Sequence, residues 1–246
     1  MYKLLRRAYR ELHKNGGKPP TLSVLDKLII ALQYWREYRT YRHIAFDYEM
    51  GKSAIGNAVI WVEDTLIKSG FFSLPSKRIL KKDDEIEIVL IDVTEQPIER
   101  PKKGQKKWYS GKKKQHTIKT LIFADGKTKR ILAIAQHKGS THDFALFKEA
   151  FHGASDKIQF LADSGFQGIL KFHTNSLTPI KCSKNRKLTA DEKKFNYELS
   201  KKRIFIEHIN AWIKRFKILS YRYRNKRLRH GIRVALICGF YNAELG

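Results

Sequence analysis

Asp92 interrupts the most apolar segment of the chain, Val89-Leu90-Ile91-Asp92-Val93. Asp163 closes a second apolar run, Phe160-Leu161-Ala162, and Ser164-Gly165 then ends that run sharply. An ionised carboxylate beside a core strand is costly unless it is paired or bound to a cation. In open α/β sheets, ligand groups gather where the strands end. If the two strands are neighbours, both carboxylates open into one cleft. Taken singly, each aspartate equally suits the ordinary task of capping a loop after a strand.

A third acid comes from a helical stretch. At about 100° per residue, Ile206, Ile209, Ile213 and Phe216 fall on one stripe that must face a core. Arg203, Glu207, Asn210 and Lys214 form a second, polar stripe beside it. Alone, that stripe equally describes a solvated face, with pairs worth tenths of a kcal/mol. Together the three acids suit phosphodiester chemistry. Such chemistry is served by two divalent ions about 3.5–4 Å apart, one activating the attacking oxygen and one stabilising the leaving oxygen. Magnesium takes hard oxygen ligands and keeps several waters, so three carboxylates suffice.

The elements that would position these residues follow from the pattern along the chain. The residues around Asp92 predict a strand buried on both faces. Thr117 to Phe123 and Ile131 to Ala135 predict two more, joined at Asp125-Gly126. His142 to Phe151 predicts a short helix, and Ile158 to Ala162 another buried strand. Thr189 and Glu192 form a capping box for a long helix reaching roughly Phe216, and the chain is expected to be helical again from Gly231. This order predicts an α/β (α+β) fold, a central mixed sheet flanked by helices.

Ahead of it the chain is helical. Leucines and tyrosines recur at helical spacing from Tyr2 to Leu12, Pro19-Pro20 makes a connector, and Ser23 and Asp26 suit the start of a second helix. Thr40 to Met50, a turn at Gly51-Lys52, and a helix N-capped by Ser53 and running to about Lys68 have the plan of a helix-turn-helix. Its second helix would offer Lys52, Ser53 and Asn57 to a major groove. The same spacing suits an ordinary helical hairpin. Gly70, Pro75 and Lys81-Lys82-Asp83-Asp84 mark a boundary. The expected domains are 1–80, with the helix-turn-helix at about 40–68, and 81–246.

Charge narrows the partner. Fifty Lys and Arg against twenty-four Asp and Glu leave +26 on 246 residues, far beyond the magnitude of ~2–8 usual for a small domain. A polyanion, and DNA or RNA above all, is the expected partner. Lys106, Lys107, Lys112, Lys113 and Lys114 surround Trp108 and Tyr109 directly after the Asp92 strand. Lysines attract phosphates, and the aromatics can pack on a sugar or an unpaired base. A solvated loop over buried aromatics is the alternative. Arg222, Arg224, Lys226, Arg227, Arg229 and Arg233 form a second basic cluster, read the same way. Cys182 and Cys238 are too far apart for metal-like spacing. The opening MYKLLRRAYRELHKNGG does not read as a signal peptide, and no apolar run approaches the ~18 residues of a membrane span. The expected location is cytoplasmic, associated with the nucleoid.

The motifs are together similar to a known family. VLIDVTEQPIERPKKGQKKWYSGKKKQHTIKT, FLADSGFQGI and RIFIEHINAWIKRFKIL resemble the first-aspartate strand, the Asp-x-Gly-aromatic-x-Gly box and the glutamate helix of the DDE transposases of IS5-type insertion sequences. Arg203, Glu207 and Lys214 match the family signature Tyr-x2-Arg-x3-Glu-x6-Lys, while Ser200 stands at the tyrosine position. The resemblance implies an RNase H-like catalytic domain with Asp92, Asp163 and Glu207 as catalytic, metal-binding triad for Mg²⁺ or Mn²⁺, two ions in all. It implies that Lys214 touches a DNA phosphate and that Arg203 steadies Glu207 or the backbone. Gly139-Ser140-Thr141-His142-Asp143 also resembles a family motif, which puts His142 and Asp143 near the site. The expected function is transposition: binding double-stranded terminal inverted repeats, cutting them, and joining them to target DNA, as a homo-oligomer in the synaptic complex. The rival expectations are a catalytically silent DNA-binding regulator and an RNase H-like nuclease that cuts without joining.

Overall fold

A computed structural model describes all residues except Pro19, Asp83, Asp84, Lys184 and Asn185. The Pro19 connector and the Asp83-Asp84 part of the boundary run therefore lie outside the described residues. In chain order the elements are α1 (Tyr2–Leu12), α2 (Val24–Arg36), α3 (Tyr41–Asp47), α4 (Lys52–Lys68), α5 (Ile79–Lys82), β1 (Ile88–Pro97), β2 (Tyr109–Ser110), β3 (Gln115–Asp125), β4 (Ile131–Lys138), α6 (Asp143–Ala150), β5 (Gln159–Ala162), β6 (Ser176–Leu177), α7 (Ala190–Lys214), α8 (Lys217–Ser220) and α9 (His230–Glu244). No described helix is long and apolar enough to cross a membrane.

The chain packs as two units. One comprises Met1–Ser73 with Ile213–Glu244, and the other Leu74–Trp212. Against the expected division into 1–80 and 81–246, residues 74–80 pack in the second unit and the C-terminal segment from Ile213 packs with the N-terminal helices.

In the helical unit, α2 starts at the expected Ser23 and Asp26, which form a capping box, with Ser23 Oγ accepting from Asp26 N and Asp26 accepting from Ser23 N. Thr40 caps α3 through a bond from His43 N. Ser53 is not the N-cap of α4. Gly51 holds that position without a side-chain bond, and Ser53 lies one residue inside the helix. Lys52, Ser53 and Asn57 are exposed there, while Ile55, Val59, Val62 and Leu66 are buried. The C-terminal helix α9 packs close: a Cβ on Gly239 would lie 2.1 Å from the carbonyl oxygen of Phe72.

The second basic cluster is corrected in part. Arg233 is buried, and its Nε donates to the wholly buried Glu63 at 2.6 Å. Arg229 bonds both Glu63 and Asp64, and Trp35 Nε1 also donates to Glu63. Arg224 stacks on Tyr38 and donates to its carbonyl oxygen. These arginines hold the unit together, because a carboxylate buried on α4 needs cationic partners. Arg222 and Lys226 remain exposed.

The other unit is a mixed sheet in the order β2-β3-β1-β5-β6, with β4 also paired to β3. β1 runs antiparallel to β3 and parallel to β5, and β4 is antiparallel to β3. Residues 126–130 connect β3 to β4, a longer loop than the Asp125-Gly126 turn alone. The Asp125 carboxylate organises it by accepting from Lys127 N and Thr128 N. One sheet face, with Val89, Ile91, Leu121 and Phe123, packs against Leu146, Phe147 and Ala150 of α6. Strand alternation turns Leu90, Asp92 and Ile122 to the opposite face. α7 begins at its expected capping box: Thr189 N donates to Glu192 at 2.9 Å, and Glu192 N to Thr189 Oγ1 at 3.2 Å. Its Ile206 and Ile209 are buried.

Candidate active site

The two aspartates meet because β1 and β5 are parallel neighbours in a fixed register. Ile91 lies opposite Ala162. The next residue on each strand is an aspartate, so Asp92 and Asp163 stand side by side where β5 ends. β1 continues past this point against β3 alone, which leaves the carboxylates at an opening in the sheet.

Asp92 is held from the α7 side. Asn210 Nδ2 donates to its Oδ2 at 2.7 Å, and an Arg203 guanidinium nitrogen lies 3.9 Å from its Oδ1. Burial pushes the Asp92 carboxyl up to about 6, Arg203 pulls it down, and the charges of Asp163 and Asp143 push it further up. Asp163 caps the short turn Ser164–Phe166, with Oδ1 accepting from Gly165 N at 2.8 Å. Its other oxygen has no such donor among the described residues. Asn210 Oδ1 and Arg203 Nε are buried and have no hydrogen-bond partner among the described residues.

Asp143 approaches from α6. Its Oδ1 accepts from Lys119 Nζ at 2.7 Å, and Lys119 also lies 3.6 Å from Glu95 Oε1. Gly165 separates the acids: a Cβ there would sit 2.9 Å from Asp163 Oδ1 and 3.2 Å from Asp143 Oδ2. Gly165→Ala must therefore displace a carboxylate. For the DNA cleavage expected from the sequence, we predict a fall of at least ~10-fold, with a stability loss of about 1–3 kcal/mol. Cleavage assays and urea unfolding check this; unchanged cleavage would mean that the spacing is unimportant.

Glu207 is the member that the structure does not bring in. It is exposed, and its side chain forms no hydrogen bond or ion pair with a described residue. Among the described residues no group of three or more His, Cys, Asp or Glu side chains converges as a metal centre. Arg203, expected to steady Glu207 or the backbone, has a guanidinium nitrogen 3.9 Å from Asp92 Oδ1. Asn210, on the same polar stripe, supplies the direct bond to Asp92. The stripe itself was the signal for Asn210, since residues three and four apart share a helix face. Glu207 lies between these two along that face, about one turn from each.

The donor chemistry fits a hard divalent cation at Asp92 and Asp163. Two adjacent carboxylates repel one another, and one distant guanidinium leaves them undercompensated. Asn210 Oδ1, buried and without a partner among the described residues, could accept a hydrogen bond from water held at such a cation.

The remaining expected residues lie as follows. Lys106, Lys107, Lys112, Lys113 and Lys114 are exposed, Trp108 is half-buried and Tyr109 is exposed. Ser140 Oγ donates to the carbonyl oxygen of Lys107 at 2.7 Å, which ties this basic segment to the loop before α6. His142 is the exposed N-cap of α6. Lys214 is exposed at the end of α7.

Residues 91–242 match the family model described as DDE superfamily endonuclease, and residues 20–72 match the helix-turn-helix of DDE superfamily endonuclease. The chain is 46% identical over 233 residues to a probable transposase for insertion sequence element IS702 of Microchaete diplosiphon, covering 94% of this chain and 84% of that protein. Among solved structures it is similar to the Mos1 mariner paired-end complex with Mn, at 12% identity and a TM-score of 0.24, over 93% of this chain and 78% of that one. A pre-cleavage Mos1 transpososome is similar at 13% identity and a TM-score of 0.24, with the same coverage of 93% and 78%.

Proposed function

The chain belongs to the DDE superfamily of endonucleases, as an insertion-sequence transposase, and from that premise we propose that Asp92, Asp163 and Glu207 form its catalytic, metal-binding triad. Membership implies dependence on divalent metal. We assign that metal as Mg²⁺ or Mn²⁺, two ions in all. Bound there, the ions would activate the attacking oxygen and stabilise the leaving one.

The protein's own groups divide the remaining work. Asn210 and Arg203 orient Asp92 through the contacts described above. Gly165 N orients Asp163. Glu207 joins from the adjoining helix face. Lys106, Lys107, Lys112, Lys113, Lys114 and Lys214 attract DNA phosphates, and Trp108 offers a stacking surface. We assign recognition of the terminal inverted repeats to the helical unit, with Lys52, Ser53 and Asn57 of α4 facing the major groove. Cleavage and joining to target DNA belong to the sheet unit. The working form is a homo-oligomer that pairs two element ends.

The observation that carries this reading is the parallel register of β1 and β5, which makes neighbours of two acids separated by seventy residues of chain. Purified protein is incubated with labelled terminal-repeat DNA, target DNA and Mg²⁺ or Mn²⁺. Nicked ends followed by joined products are expected. Asp163→Asn and Glu207→Gln should each reduce nicking at least ~100-fold. Nicking that survives either change removes that residue from the triad. Nicking without joining would make the protein a nuclease, and binding without nicking a regulator.

A further inference from the structure

Behind the Asp92–Asp163 pair lies a buried charge cluster that the proposed chemistry does not use. Glu95 and Lys119 are direct cross-strand partners on β1 and β3, on the sheet face opposite Asp92. Their side chains are only 7% and 8% exposed. Lys119 Nζ lies between Asp143 Oδ1 at 2.7 Å and Glu95 Oε1 at 3.6 Å. The second oxygen of Glu95 accepts from Thr117 Oγ1 at 2.9 Å. Asp143 Oδ2 and Asp163 Oδ1 flank a single point above Gly165, at 3.2 and 2.9 Å from it. Asp143 thus reaches the acidic opening from the far side of the sheet.

Without a cation behind it, Asp143 would be a fourth hard-oxygen donor beside Asp163. Nothing in the chemistry of a carboxylate would then tell a divalent ion which acids to choose. We infer that Lys119 is a positioning residue that withholds Asp143 and Glu95 from the metal and so leaves Asp92 and Asp163 as the pair that binds it. The ammonium offsets one of the two negative charges that these acids would offer, and its charge-assisted bond to Oδ1 leaves Asp143 only Oδ2 toward the opening. The inference rests on the proposed role of Asp92 and Asp163.

The test is Mn²⁺ binding to the full-length protein without DNA, followed by the electron paramagnetic resonance signal of free Mn²⁺, with terminal-DNA cleavage in parallel. Lys119→Met should bind Mn²⁺ at least ~5-fold more tightly while cleaving at least ~10-fold more slowly. A structural defect alone would not move the two in opposite directions. Lys119→Arg should stay within about 2-fold of the wild type in Mn²⁺ affinity. The triple variant E95Q/K119M/D143N leaves no unpaired charge and guards against misfolding of Lys119→Met; its Mn²⁺ affinity should remain within about 3-fold of wild type. An affinity at least ~10-fold weaker in the triple variant would make Asp143 or Glu95 a ligand and overturn the inference. So would Lys119→Met that folds and binds Mn²⁺ no more tightly, while Asp92→Asn and Asp163→Asn lose binding. Mn²⁺ binding untouched by Asp92→Asn and Asp163→Asn would overturn the proposed triad and this inference with it.

Discussion

Asp92→Asn is expected to abolish DNA cleavage and, with metal chelated, to make the protein more stable at neutral pH. Both effects have one cause. Burial and the neighbouring acids raise the Asp92 carboxyl from its ordinary 3.8 to about 6. Keeping it ionised at pH 7 therefore costs on the order of 3 kcal/mol, and the 21% exposure of the side chain reduces that somewhat. The asparagine side chain has nearly the same shape, and its oxygen can still accept from Asn210 Nδ2. It carries no charge to desolvate, so a gain of about 1–3 kcal/mol is expected. A carboxyl whose folded value is raised contributes its stability below about pH 4 and loses it as pH rises through about 6. The advantage of the asparagine variant should be complete above pH 7 and vanish near pH 4. Urea unfolding in EDTA at these two values measures it. Cleavage should fall at least ~10³-fold, because a carboxylate proposed as a metal ligand is lost. An asparagine variant less stable than wild type at pH 7 would mean that Arg203 fully compensates Asp92.

Glu63→Ala is expected to have the largest effect on stability, a loss of about 3–5 kcal/mol. Glu63 is fully buried on α4 and accepts from Trp35 Nε1, Arg229 and Arg233. Burial opposes the charge of Arg233, yet Glu63 holds the guanidinium protonated, above its ordinary range. Truncating the acid leaves a buried cation and a tryptophan donor without their acceptor, and it opens a cavity. Terminal-DNA binding should weaken with folding, since α4 carries Lys52, Ser53 and Asn57. The double variant E63L/R233M removes both charges and should recover most of the loss. Urea unfolding of the three proteins decides it. A Glu63→Ala protein within ~0.5 kcal/mol of wild type would show that Arg229 and Asp64 already satisfy the cluster.

The sites differ in how far the chain pattern foretold them. Asp92 and Asp163 stand out locally because a charge inside an apolar run is rare and expensive. The helix bearing Glu207 was legible from its capping box and its 3.6-residue stripe. Which side chain on that stripe touches Asp92 was not legible, because Arg203, Glu207 and Asn210 share one face; the packing of α7 on the sheet selects Asn210 and Arg203. Ser53 misled for a similar reason, since it is a good capping residue placed two positions after the glycine that caps α4. In the basic segment from Arg222 to Arg233, charge alone suggested a DNA surface. The acid that recruits Arg229 and Arg233 inward is some 170 residues earlier. Nothing in the local sequence singles out Lys119, and its place between two acids depends on the pairing of β1 with β3.

Local composition and periodicity alone determined the kinds of element, the basic character of the surface and the two strand-end acids. Those properties arise from neighbours within a few residues: alternation buries a strand, spacing of 3.6 buries a helix face, and an isolated carboxylate resists burial. The tertiary structure decided that β5 lies parallel to β1 with Ile91 opposite Ala162, that α9 closes on the N-terminal helices, and that Lys119 faces Asp143. Each of these is a choice among pairings of distant segments, set by the register and packing that bury the most apolar surface at once. The acids become a site only when that register makes them neighbours.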